Sequence, residues 1–293
     1  MRNVIHAMAA ALLLAALACL GGPAGAAAAT APEPGTHTRS VTMPGGWKRE
    51  FLLHAPTARS AKPRPLVVAL HGGLDNMQSM ERTTGWDDVA DAHGFLVAYP
   101  NGFLGTWNAG GCCVFARAAG IDDVGFLDKM IGSLVRSGAA DPRRVYVTGF
   151  SNGGGMAYRY ACERAGRVAA IGVVSGSLAV PCEPARPVSL LAFHGTADQT
   201  VPFLGGGDQD WDNHTPFLPV TAVLDIWRTL DRLPPLDRIV TDTVAAKCTA
   251  TSARPVGLQV QLCTIFGGGH EWPRGKGVEA TPQLWDFFRH RHV

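Results

Sequence analysis

The stretch Arg143–Glu163, RRVYVTGFSNGGGMAYRYACE, constrains this chain more than any other. Val145-Tyr146-Val147-Thr148 is a β-branched and aromatic run that suits a buried strand. Met156–Cys162 reads as a helix with few breakers. Between them, Gly149-Phe150-Ser151-Asn152-Gly153 matches G-x-S-x-G. A serine on a sharp strand-to-helix turn is held in strained backbone geometry, and flanking side chains would clash, so glycine is required on either side. The hydroxyl then stands above the sheet, at the positive end of the following helix. The pentapeptide alone is a weak signal in a chain with 35 glycines. Its weight comes from the strand before it, the helix after it, and partners downstream in the right order.

The flanking chain supplies that context. Pro65–Leu70 is a continuous apolar run ending in His71-Gly72-Gly73, as expected of a strand buried on both faces. Phe95–Tyr99, Val168–Val174, Val188–Phe193 and Leu258–Phe266 read the same way. Helices are predicted at Thr84–His93, from Asp122 or Asp123 to about Arg136, at Val220–Asp231 and at Leu284–His290. Arg39–Met43 and Arg49–His54 form two further strands around a Pro44-Gly45-Gly46 turn. Alternation of strand and helix predicts an α/β fold: a mostly parallel sheet of about eight strands, covered by helices on both faces. The expected organisation is a signal peptide over 1–28, a mobile leader over 29–38 and one catalytic domain over 39–293. Leu204–Leu218 is an irregular insertion rich in Gly, Asp and Pro.

The signal reading rests on the apolar run Ala7–Leu20, followed by the small residues Ala24–Ala28. The run is short for a membrane span and no stop-transfer flank follows, so export is expected. Lipid anchoring through Cys19 is the lesser alternative. The other six cysteines are an even number, which in an exported chain favours disulfides. A formal net charge of +2 with 17% charged residues gives no basic excess for nucleic acid. No C-x-x-C pair suggests zinc. Asp208–Asn213 alternates carboxylates like the start of a calcium loop. It has Asn213 where glycine is needed and Pro219 where a bidentate Glu is needed, so no metal is expected.

Acyl transfer by a serine needs a base and a carboxylate to orient it, and on such a sheet the chain order is Ser, Asp or Glu, His. Asp198 follows a strand within His194-Gly195-Thr196-Ala197-Asp198, and His270 follows the last strand in a glycine run. Ser151, Asp198 and His270 are the candidate catalytic residues. His194 is expected to fix the Asp198 loop. The backbone N–H groups of Asn152 and Gly73 are candidate oxyanion donors, with Leu74 the alternative to Gly73. Trp107 and Trp272 are candidate pocket walls. Cys162 at the end of the elbow helix and Cys182 in the returning segment suggest one disulfide. Cys248–Cys263 would tie the last strand to the segment before it. Cys112 and Cys113 remain as a vicinal pair or as free thiols.

Several motifs in order resemble secreted esterases related to polyhydroxybutyrate depolymerases and feruloyl esterases, over about Val41 to the C-terminus. They are Leu70–Gly73, Trp107–Cys113, Asp122–Val124, Arg144–Gly154, His194–Asp198 and Gly268–Pro273. The resemblance implies an α/β-hydrolase fold, the Ser151–Asp198–His270 triad, and ester hydrolysis without cofactor. The expected partner is a small or oligomeric ester, with no nucleic acid and no membrane span; the oligomeric state is open. An acyltransferase, or a silent surface-binding protein of the same fold, are the alternatives. No adhesive module is expected outside the catalytic domain. Soluble esters and short hydroxyacyl oligomers, rather than crystalline polymer, are therefore the expected substrates.

Overall fold

The computed structural model describes residues 32–58, 60–210, 214–251, 257–275 and 277–293. The signal segment, Cys19 included, lies outside them. The strands are β1 (Gly35–Thr42), β2 (Lys48–Ala55), β3 (Arg64–Leu70), β4 (Leu96–Pro100), β5 (Ala140–Phe150), β6 (Ala170–Val174), β7 (Ser189–Gly195), β8 (Leu236–Asp242), β9 (Ala246–Thr251) and β10 (Val260–Ile265). The helices are α1 (Met77–Thr84), α2 (Trp86–His93), α3 (Val114–Ala118), α4 (Asp123–Arg136), α5 (Asn152–Arg164), α6 (Val220–Leu230) and α7 (Ala280–Phe288).

Among the described residues, ten strands form one sheet in the order β1-β2-β4-β3-β5-β6-β7-β10-β9-β8. The run from β4 to β10 is parallel. Antiparallel pairs extend it at both edges. The apolar runs explain the parallel centre. Along β3, Leu66, Val68 and Leu70 pack with α4, α5 and α6, while Val67 and Ala69 pack with α1, α2 and α7. A strand covered on both faces needs apolar residues at every position, and each buried Val or Leu contributes roughly 1.5–3 kcal/mol. Under the second face, Phe288 stacks on Tyr146 at 4.9 Å and Trp285 on Phe95 at 3.9 Å.

Two expectations are corrected. Among the described residues the sheet has ten strands, not about eight, because β8 and β9 form a hairpin on its far edge. Exposed Asp237–Val240 in β8 carries no core-facing pattern to reveal that strand. β1 begins at Gly35, inside the segment read as a leader, and pairs with β2 from Gly35 opposite Ala55. Cys162 is bonded to Cys182, Cα to Cα 5.1 Å, between the end of α5 and the segment before β7. Cys248 and Cys263 face each other across β9 and β10 and are bonded, Cα to Cα 3.9 Å. Cys112 and Cys113 are bonded to each other.

Candidate active site

β3, β5, β7 and β10 all deliver their carboxyl ends to one side of the sheet, where α/β sheets carry their ligands. Ser151 stands between β5 and α5 with φ 53° and ψ −120°. Such left-handed backbone costs a non-glycine residue about 1–3 kcal/mol and persists only when neighbours enforce it. Here Ser151 N–H donates to Val174 O at 2.9 Å, and Ser151 O accepts from Gly155 N at 3.0 Å. The flanking glycines are required sterically. A Cβ on Gly149 would meet the Gly153 carbonyl, and one on Gly153 would meet the carbonyl oxygens of Leu70 and His71.

His270 Nδ1 lies 2.8 Å from Asp198 Oδ2. The Asp198 side chain is fully buried. Its Oδ1 accepts from Thr200 N at 2.9 Å and Val201 N at 2.8 Å. His194 Nε2 is 3.4 Å from Oδ2 and 2.8 Å from Val201 O, which fixes the same loop. Burial pushes the Asp198 pKa up, but hydrogen bonds from His194, His270 and Val201 outweigh it and hold the carboxyl well below its ordinary range. An acceptor-only carboxylate beside Nδ1 leaves the proton of a neutral His270 on Nδ1 and turns Nε2 into a base. The Phe150 ring packs 4.8 Å from the His270 ring, so the residue before Ser151 seats the imidazole beside the elbow.

The candidate oxyanion donors belong to a second network. Asn152 heads α5, where the first N–H groups of a helix have no intrahelical acceptor. Gly73 is so close that a Cβ there would touch Asn152 Cβ at 3.6 Å. His71, fully buried, accepts from Gly102 N at 2.8 Å through Nε2. A backbone N–H can only donate, so the proton sits on Nδ1, which donates to Gly72 O at 2.7 Å. Burial lowers the His71 pKa in keeping with this neutral tautomer. Asp123, read from sequence as a possible helix cap, instead holds Arg49 at 2.9 Å and Asn108 N at 2.8 Å. Asp122 is the cap, accepting from Gly125 N.

Ser151, Asn152, Gly73 and His270 all line one cavity of about 490 Å³. Its apolar side includes Phe150, Val201, Phe217 and the Cys112–Cys113 pair. Trp107 and Trp272, expected as walls, do not line it. Trp107 is fully buried and donates from Nε1 to His71 O at 3.0 Å. Trp272 is buried and donates to Thr281 Oγ1 at 3.0 Å. The outer wall comes instead from Asp208, Gln209, Asp210 and Phe217 of the Leu204–Leu218 insertion. Asp210, buried, reaches Arg117 Nε at 2.5 Å and Val114 N at 3.2 Å, clasping the insertion onto α3. Sequence reading missed His71, Phe150 and this clasp. The position of His71 and Phe150 beside the glycine motifs was the available signal for those two, and nothing local announces the clasp.

The fold and the cavity above the Ser151 turn define an α/β-hydrolase. A family model described as "Esterase PHB depolymerase" matches residues 50–193. The chain is 31% identical to the "Putative esterase NocK" of Nocardia uniformis subsp. tsuyamanensis, over 92% of this chain and 89% of that protein. It is 30% identical to Feruloyl esterase B of Piromyces equi, over 82% of this chain but only 45% of that protein. Among solved structures, the acetyl xylan esterase from Aspergillus awamori superposes with a TM-score of 0.63 at 16% identity, covering 87% of this chain and 99% of that one. The chain thus belongs to the esterase PHB depolymerase family and is a carboxylic-ester hydrolase.

Proposed function

We propose that the protein is an exported serine esterase that works through an acyl-enzyme. Ser151 attacks the ester carbonyl and His270 Nε2 takes its proton. Asp198 keeps the imidazole in the productive tautomer and stabilises the imidazolium. The N–H groups of Asn152 and Gly73 receive the developing oxyanion. His270 then protonates the departing alcohol, and water releases the acid by the same route in reverse. The observation that carries this reading is the 2.8 Å contact of His270 with buried Asp198, with His270 and Ser151 lining one cavity. Soluble esters are the proposed substrates, either hydroxybutyrate oligomers or feruloyl and acetyl sugar esters, the latter named for the relatives above. Three disulfides among the described residues and the apolar run Ala7–Leu20 support export. A fluorophosphonate probe should label the wild-type protein on Ser151 and leave Ser151→Ala unlabelled. Labelling of the variant at equal rate would overturn the assignment.

A further inference from the structure

The cavity over Ser151 is electrostatically one-sided. Among the described residues that line it there is no lysine and no arginine, whereas Asp75, Asp208 and Asp210 all contribute. Asp210 is matched by Arg117, which lies behind the wall. Asp75 and Asp208 are not matched in this way. Among the described residues, Asp75 Oδ1 accepts only the N–H of the next residue, Asn76, at 2.9 Å. Asp208 faces the exposed imidazole of His214 at 3.3 Å. The two carboxylates come from separate segments, one from the loop after β3 that carries Gly73, the other from the insertion. Among the described lining residues, the one group able to carry positive charge is His270, and it must be neutral to accept the Ser151 proton. Positive potential from the head of α5 is aimed at the oxyanion position beside Asn152. A carboxylate elsewhere on a substrate would meet two like charges, an apolar wall and no compensating cation.

We infer that this cavity selects esters in which neither the acyl nor the alcohol part carries negative charge. This deepens the esterase reading and rests on it. It also divides the two substrate classes left together there. Feruloyl and acetyl sugar esters are uncharged, whereas a short hydroxybutyrate oligomer ends in a free carboxylate close to the bond being cut. Such oligomers are poor substrates unless that end lies far outside the cavity or is itself esterified. The same field favours departure of the product, because hydrolysis of a neutral ester converts the acyl group into a carboxylate inside an acidic cavity.

The test compares two esters of similar shape, p-nitrophenyl valerate and mono-p-nitrophenyl glutarate, each rate divided by its rate of alkaline hydrolysis in the same buffer. Two like charges lining the same cavity, in partly exposed surroundings, change the relative kcat/KM by about tenfold or more at low salt. The expected result is a normalised preference of at least ~10 for the neutral ester. That preference should shrink severalfold in 0.5 M sodium chloride and again in Asp75→Asn and Asp208→Asn. The salt arm needs no variant, so it stands even if a substitution disturbs folding. A ratio near one, or a ratio untouched by salt and by both substitutions, overturns the inference. Both esters should be inert with Ser151→Ala. Retained turnover there would overturn the site assignment itself, a failure separate from a ratio of one.

Discussion

Asn152 grips the main chain of Trp107 from both sides: its Oδ1 accepts from Trp107 N at 2.7 Å and its Nδ2 donates to Trp107 O at 3.0 Å. Trp107 in turn holds the carbonyl of His71 through its indole N–H. The two proposed oxyanion donors, on Asn152 and Gly73, are thereby parts of one hydrogen-bonded unit. Asn152→Ala keeps its own backbone N–H but strands the buried N–H of Trp107, at a cost of about 1–3 kcal/mol, and takes one of two donors from the Trp107 carbonyl, which keeps Ala109 N at 3.0 Å. The expected outcome is a Tm lower by several degrees, and a fall of ~10-fold or more in kcat with a smaller change in KM. Trp107→Phe, which removes only the indole donor, should show a milder version of the same kcat loss. Thermal melts and steady-state kinetics on a neutral p-nitrophenyl ester read both.

Ser151→Ala and His270→Ala should each lower kcat by about 10⁶, and the double variant by little more, because residues that act as one unit are not additive. Asp198→Asn should cost about 10⁴, since an amide can hold His270 in the wrong tautomer. Losses that add cleanly between Ser151 and His270 would argue against a shared proton transfer.

The value of kcat/KM should fall toward acid pH, because His270 must be neutral to take the Ser151 proton. Asp198 is held well below the usual carboxylate range, so it stays ionised along this acid limb. Burial lowers the His71 pKa, and its Nε2 accepts from Gly102 N, which a protonated ring could not do. The acid limb should therefore have unit slope in a plot of log kcat/KM against pH. A slope near two would mean that a second proton blocks the reaction.

Asp231 offers a stability test away from the cavity. It is buried at the end of α6, where Oδ1 accepts from Val188 N at 3.1 Å and Oδ2 has no partner among the described residues. Burial raises its pKa to about 7. An acid whose folded pKa is raised gives full stability below its unfolded pKa, near 4, and loses it as pH climbs through the folded value. Wild-type Tm should therefore fall from pH 4.5 to pH 8 by more than that of Asp231→Asn. At pH 8 the variant should melt a few degrees higher (~2–5 °C). Parallel Tm curves for the two proteins would reject the assignment.

Much of this molecule was legible along the chain. β3, β4, β6 and β7 announce themselves as unbroken apolar runs, since a parallel strand covered on both faces leaves no position for a polar residue. Ser151, Asp198 and His270 each follow a strand end in the required order, and glycine at 149 and 153 is dictated by backbone sterics. These are local properties, carried by a few consecutive residues.

What only the tertiary structure decided depends on partners far apart in sequence. An indole suits a pocket wall or a core equally well. Trp107 became a strut because His71 and Asn152 arrive beside it, and Trp272 because Thr281 folds back onto it, with Thr281 Oγ1 donating in turn to Thr84 O. β8 exists because β9 offers it an edge, which no apolar pattern within β8 could signal. The outer wall of the cavity is set by an ion pair between residues 93 positions apart, Arg117 and Asp210. The strands and the catalytic order follow from short-range chemistry, while the shape and charge of the cavity follow from which distant side chains the folded sheet brings together.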